Sequence, residues 1–225
     1  MIKGVIFDMD GTMFDTEPIS AFCWKKAGEQ TGYAVTDALV NSFLGKNMGA
    51  IAELLKQEFG QELDCNVIID ARQHCYKEYI LEHGAPHKEG LVVLLNYLKE
   101  QGIPAAVSTS TDRKTAEMVI KRAGVYEYFN AFVYGDMVEK SKPAPDIFWM
   151  AAERIGVRPE ECLVVEDSPA GVLAGKAAGG KTVFIPDRML LTEEIKEGIS
   201  AELNNLEEVI GWMKQRRKEL CTKQK

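Results

Sequence analysis

The chain has 225 residues, 46% of them apolar, 27% charged and 8% aromatic, with a formal net charge of −7. This ordinary globular composition excludes a disordered, collagen-like or coiled-coil chain. A chain of this length buries roughly 70% of its unfolded surface and needs neither disulfides nor structural zinc to fold. The negative balance argues against nonspecific binding to nucleic acid or to an anionic membrane, so a cation that holds an anionic substrate has to be a local one.

The five cysteines, Cys23, Cys65, Cys75, Cys162 and Cys221, are scattered and show no zinc spacing, and they read as buried reduced thiols. Met1-Ile2-Lys3-Gly4-Val5 runs straight into an apolar strand without a signal peptide. No stretch approaches the ~18 uninterrupted apolar residues of a membrane span, so a reducing cytoplasm is the expected compartment.

Val5-Ile6-Phe7 is a short apolar run of the kind buried on both faces of a parallel sheet. About 95 residues without a convincing strand follow it. Residues 17–31, 36–43, 47–59, 64–82 and 89–101 read as helices, with Pro18 in the first turn of the first and Thr16 as its cap. His83-Gly84-Ala85-Pro86 breaks the pattern. These signals predict an inserted helical module at 15–82, with 1–14 and 83–225 forming the remainder. Four more apolar runs, 105–107, 131–133, 163–165 and 183–185, are separated by helical patterns at 112–123, 145–156 and 169–179. Strands alternating with helices of that length predict an α/β fold, a Rossmann-like parallel sheet flanked by helices. The basic tail from Trp212 to Lys225 reads as a solvated helix end.

Chemistry gathers at the ends of the predicted strands, the edge at which open α/β sheets bind ligands. The first strand ends in Asp8-Met9-Asp10-Gly11-Thr12, where two carboxylates face one crevice and Gly11 allows a tight turn. Paired aspartates suit phosphoryl transfer, one attacking phosphorus and the other serving the leaving group as acid. Two such charges about 4 Å apart repel by roughly 4 kcal/mol at an effective dielectric of 20. A phosphate dianion adds to that repulsion, so a cation is required, and Mg²⁺ suits oxygen donors. A calcium loop starting at Asp8 fails because its fifth and twelfth positions hold Thr12 and Ile19.

The second strand ends in Ser108-Thr109-Ser110-Thr111-Asp112, a run of hydroxyls at a helix start. Ser108 is placed to contact phosphate, while Ser110 or Thr111 reads as an ordinary cap. Ser141-Lys142-Pro143-Ala144-Pro145-Asp146 projects Lys142 from a proline-stiffened loop, where its ammonium neutralises a carboxylate and a phosphate together. Glu166-Asp167-Ser168-Pro169 closes the fourth run; Ser168 and Pro169 start a helix, and the two acids read as metal ligands.

Gly175 to Thr182 fits the phosphate-loop pattern G-x-x-x-x-G-K-[ST] but closes a helix and enters a strand, the reverse of what that loop requires. Gly179-Gly180 reads instead as a helix C-cap. His74, His83 and His87 are too widely spaced for a metal site, and Met118 and Met150 read as core filler.

The four strand-end motifs, in this order, resemble the haloacid dehalogenase superfamily across essentially the whole chain. The branch most resembled carries a small helical cap after the first motif and includes β-phosphoglucomutase and sugar-phosphate phosphatases. The resemblance implies that Asp8 forms an aspartyl-phosphate, and that Asp10 protonates the leaving oxygen, then activates water, while its carbonyl binds Mg²⁺. It further implies Asp8, Asp167 and Glu166 around the metal, with Glu166 binding directly or through waters. Ser108, Thr109 and Lys142 would hold phosphoryl oxygens, under a cap that closes over the substrate.

Mutases of that branch have a histidine in the first cap helix, where Ser20 stands here, and an arginine in a cap loop that reads Gly45-Lys46-Asn47-Met48-Gly49 in this chain. Lys46 and Arg72 are candidate replacements, and Thr12 is phosphatase-like. The expectation is therefore hydrolysis of a small phosphorylated metabolite, such as a sugar phosphate, with a phosphosugar mutase as the alternative. Dehalogenation does not need Asp10 or the acid pair, and a noncatalytic phosphosugar-binding protein would have lost one of Asp8, Asp10, Lys142 or Asp167. A monomer binding neither nucleic acid nor membrane is expected.

Overall fold

The computed structural model describes residues 1–223. The chain divides into two compact units, Met1–Phe14 with Pro86–Lys225, and Asp15–Ala85.

The first unit is built on strands β1 (Gly4–Phe7), β2 (Ala105–Ser108), β3 (Ala131–Val133), β4 (Cys162–Glu166), β5 (Lys181–Phe184) and β6 (Ala201–Glu202). All pair in parallel, in the order β3-β2-β1-β4-β5-β6. The apolar runs form strands because a parallel sheet covered by helices removes both faces from water. β1 sits in the middle, with Phe7 opposite Val107 on one side and Val165 on the other. Register thus brings the ends of β2, β1 and β4 level, and the residues that follow them emerge at one edge.

The helices of this unit are α5 (Leu91–Glu100), α6 (Arg113–Arg122), α7 (Asp146–Arg154), α8 (Pro169–Ala177), α9 (Glu193–Lys196) and α10 (Glu208–Lys223), following the four helices of the inserted unit. Ile147, Phe148 and Ala151 of α7 and Ala174 of α8 pack with Ile6, Ala106, Val133 and Val164 of the strands. Alternation along β1 turns Phe7 the other way, edge-on to Phe129 with ring centroids 5.9 Å apart. α5 buries Leu91, Leu94, Leu95 and Leu98 at helical spacing.

Helix ends agree with the sequence at some positions and differ at others. Ser168 caps α8 by accepting from the Gly171 amide at 3.0 Å, behind Pro169 in the first turn. α8 closes with amide bonds from Gly179 to Lys176 and from Gly180 to Gly175, with Gly179 at φ +86°. This pair of bonds is a Schellman end, so the phosphate-loop look-alike is a helix terminus. α6 is capped by Asp112, accepting from Thr115 at 3.1 Å, and not by Ser110 or Thr111, because a carboxylate stands at the last extended residue. α9 and β6, four and two residues long, are too short to leave a periodic signal in the sequence.

The second unit contains α1 (Glu17–Thr31), α2 (Asp37–Ser42), α3 (Met48–Phe59) and α4 (Asn66–His83). Its core gathers Trp24, Phe43, Ile51, Leu55 and Ile68, with the Trp24 and Phe43 rings 4.9 Å apart. Thr36 and Asn47 cap α2 and α3 by accepting amide bonds from Leu39 and Ala50. Thr16 makes no side-chain capping bond to α1, because its backbone is already helical (φ −88°, ψ −19°). α4 runs to His83 and closes at Gly84, which carries the end of the unit three residues past the expected 82.

Cys23, Cys65, Cys75 and Cys162 are buried free thiols. The side chain of Cys221, and Gln224 and Lys225 of the basic tail, lie outside the described residues. No helix among the described residues is long and apolar enough to cross a membrane.

Candidate active site

The Asp8 amide donates to the Val165 carbonyl at 3.0 Å, continuing the β1–β4 ladder by one residue and placing the Asp8 side chain at the sheet edge. The chain then turns sharply, with the Met13 and Phe14 amides bonded to the Met9 carbonyl and the Gly11 amide to the Phe14 carbonyl. Gly11 sits at φ +82°, and a Cβ there would collide with the Asp167 carboxylate. Glycine is required twice, by backbone conformation and by the close approach of that side chain.

Lys142 reaches this point from the loop between β3 and α7. Its ammonium donates to Asp8 Oδ1 at 2.5 Å, to Glu166 Oε1 at 2.6 Å and to the Ser108 carbonyl at 3.2 Å. It also lies 5.0 Å from the centre of the Phe148 ring. With 6% of the side chain exposed, this is a buried cation ligated by three strand ends.

Glu166 has no exposed surface and both oxygens are engaged. Oε1 takes Lys142, while Oε2 accepts from the Asp167 amide (3.0 Å), the Ser168 amide (3.1 Å) and the Ser168 hydroxyl (3.0 Å). Gly171 leaves room for this carboxylate, since a Cβ there would run into it. Glu166 therefore organises the loop that presents Asp167. The Thr12 hydroxyl, fully buried, donates to Asp167 Oδ1 at 2.8 Å.

One oxygen from each of Asp8, Glu166 and Asp167 lies within 4.8 Å of the others, a group able to hold a metal ion. All-oxygen donors of this density suit a hard divalent cation. Electrostatics point the same way. Burial, partly offset by Lys142, pushes Asp8 up to about 8, and burial with the charges of Asp8 and Glu166 holds Asp167 well above the ordinary carboxylate range. Burial opposes the charge of Lys142, but Asp8 and Glu166 outweigh it and raise its pKa. One ammonium does not balance three carboxylates, and a cation held by this cluster would supply further positive charge.

Asp10 stands slightly apart. Its Oδ2 accepts from the Thr111 hydroxyl at 2.8 Å and from that of Thr109 at 3.4 Å, while Thr109 Oγ1 accepts the Thr111 amide at 3.0 Å. Thr109 thus faces Asp10 in this conformation. The Ser108 hydroxyl is buried and donates to the Ile147 carbonyl at 3.3 Å.

The structure brings Asp8, Lys142, Glu166 and Asp167 into direct contact or close range, with Asp10, Ser108 and Thr109 on the same strand ends. Thr12 and Thr111 belong to the motifs read above, but their contacts with Asp167 and Asp10 follow from the fold and carry no sequence signal of their own. His74 and His83 pair with Glu78 and Glu82, and His87 meets the Ala123 carbonyl at 3.0 Å.

The family model for haloacid dehalogenase-like hydrolases matches residues 2–179. Hexitol phosphatase A of Escherichia coli is 36% identical over 185 residues, covering 81% of this chain and 82% of that protein. The fructose-1-phosphate phosphatase YqaB of the same organism is 32% identical over 184 residues, covering 81% and 95%. Among solved structures, CbbY from Rhodobacter sphaeroides in complex with phosphate superposes with a TM-score of 0.79 at 25% identity, covering 93% of this chain and 96% of that one.

Proposed function

The chain belongs to the haloacid dehalogenase-like hydrolases, and we propose that it is a Mg²⁺-dependent phosphatase acting on a small phosphate monoester, a sugar phosphate, through an aspartyl-phosphate. The observation that carries this reading is the buried cluster of Asp8, Glu166 and Asp167 with the Lys142 ammonium held between Asp8 and Glu166. Its two relatives named for hexitol and fructose-1-phosphate phosphatases favour hydrolysis over the mutase reading.

In this mechanism the free Asp8 oxygen attacks phosphorus and the ester P–O bond breaks. The leaving alkoxide takes its proton from the Asp10 carboxyl, which the Thr111 hydroxyl aims. Asp10, now a carboxylate, takes a proton from water as the water oxygen attacks the phosphorus. The Asp8–phosphorus bond breaks, inorganic phosphate leaves and Asp8 is restored. Lys142 stays protonated throughout and balances charge on Asp8 and on the phosphoryl oxygens. Asp8, Asp167 and the Asp10 carbonyl would hold Mg²⁺, which when bound offsets the negative charge of the phosphoryl group. Glu166, with both oxygens engaged, is placed as the support for Lys142 and the Asp167 loop. Ser108 and Thr109 are assigned to phosphoryl oxygens, and the helical unit 15–85 to the cap that selects the substrate.

The test is release of phosphate from p-nitrophenyl phosphate with and without Mg²⁺, followed by a panel of sugar and hexitol phosphates. Asp8→Asn should abolish turnover; survival of more than about a thousandth of the activity contradicts covalent catalysis. Conversion of β-glucose 1-phosphate to glucose 6-phosphate, given a trace of bisphosphate and without free phosphate, would replace hydrolysis by the mutase.

A further inference from the structure

One carboxylate near the cluster has no part in the mechanism above. Asp187 follows β5, whose end is tied to β4 by the Ile185 amide donating to the Glu166 carbonyl at 2.8 Å. Its side chain is 8% exposed. Lys88, whose amide donates to the Met13 carbonyl at 2.9 Å, sends its ammonium to Asp187 Oδ1 at 2.7 Å. The other oxygen, Oδ2, is buried and has no hydrogen-bond partner.

That oxygen points at the metal-binding cluster. It lies 3.2 Å from the position a Cβ of Gly11 would occupy, and the Asp167 carboxyl carbon lies 2.9 Å from the same position. Two carboxylates therefore face one small gap, kept open by the absence of a side chain at residue 11. A buried carboxylate oxygen with no hydrogen-bond partner carries an uncompensated desolvation cost. Placing it beside a second carboxylate adds repulsion, and an ion pair that only fastened the Lys88 loop to β5 would not require that placement. A hydrogen-bond donor in the gap removes both costs. Waters that remain on a divalent ion are such donors, and Mg²⁺ keeps several of them.

We propose that Asp187 Oδ2 is the outer-sphere acceptor for a water of the divalent ion held at Asp8 and Asp167, and that Lys88 is the positioning residue that fixes Asp187 for this task. The inference rests on the metal-site reading given under Proposed function. It adds two residues, 99 positions apart in sequence, to the apparatus that tunes metal affinity.

The experiment is titration of substrate-free, chelator-treated protein with Mn²⁺ followed by EPR, with wild type, Asp187→Asn, Lys88→Met and Asp167→Asn in parallel. Asp187→Asn keeps the shape, but the amide offers its oxygen to Lys88 and turns its NH₂ into the gap, replacing an acceptor by a donor. Mn²⁺ affinity should fall about tenfold in Asp187→Asn and by a similar factor in Lys88→Met, the scale typical of outer-sphere partners. Affinity within twofold of wild type in Asp187→Asn overturns the inference. If that variant does not fold, the same result in Lys88→Met overturns it. Asp167→Asn separates the two levels. Lost binding there with unchanged binding in Asp187→Asn sinks only this inference, whereas unchanged binding in both sinks the metal site itself.

Discussion

Replacing Lys142 by methionine keeps most of the side chain's length and removes its charge, leaving Asp8 and Glu166 buried without the ammonium that now lies 2.5 Å from one and 2.6 Å from the other. Removing one partner of a buried ion pair costs about 3–5 kcal/mol, because the remaining charge is stranded. Asp8 escapes part of this cost by taking up a proton, so the loss depends on pH. Burial already pushes Asp8 up to about 8, with Lys142 as the influence that lowers it. Without Lys142 the folded-state value of Asp8 rises further above its unfolded value. The folded variant then holds this extra proton more tightly, and its stability falls by about 1.4 kcal/mol per pH unit until the folded pKa is passed. The deficit against wild type, from urea unfolding with chelator present, should be smallest near pH 5 and widen toward pH 9. Activity should fall by at least about 10²–10³, the usual effect of removing one charge-stabilising donor. A deficit below about 1 kcal/mol, flat from pH 5 to 9, would refute the claim that this ammonium holds the cluster together.

Gly171→Ala should destabilise by about 1–3 kcal/mol, although alanine normally improves a helix interior by up to about 1 kcal/mol, because the new Cβ meets the Glu166 carboxylate; thermal unfolding gives the sign. Thr12→Val removes the 2.8 Å bond to Asp167 without changing shape and should raise the Mg²⁺ concentration for half-maximal phosphatase activity about tenfold. Chelated wild type should lose stability as pH rises from about 4 to 8, since Asp8 binds its proton more tightly folded than unfolded. Saturating Mg²⁺, which needs the carboxylates ionised, should flatten or reverse that slope.

Much of this molecule was legible because its strands are buried on both faces. Val5-Ile6-Phe7 and Leu163-Val164-Val165 have no polar alternation to confuse them, and the chemical residues follow directly at their ends. Neither α9 nor β6 could be read, since four or two residues carry no period. Asp112 took the cap that Ser110 and Thr111 seemed to offer, freeing Thr111 to bond Asp10. Glu166 stands among the three carboxylates able to hold a metal ion, but sequence does not show that four donors already meet its two oxygens. Lys88 and Asp187 carry no motif at all. A surface-type lysine and an aspartate after a proline look unremarkable until the chain is folded and one carboxylate oxygen is found without a donor.

The central position of β1 has a consequence for synthesis. β1 is made before every other strand of its sheet, and its neighbour β4 lies about 155 residues downstream. At about 5–20 residues per second, that interval is roughly 8–30 s. Throughout it the most apolar stretch of the amino terminus has only β2 to pair with, and before β2 nothing. The helices of 15–85, with a core of their own, are complete well before then. On the ribosome, β1 therefore stays without its β4 partner until β4 has been made, a window in which chaperone capture would protect it.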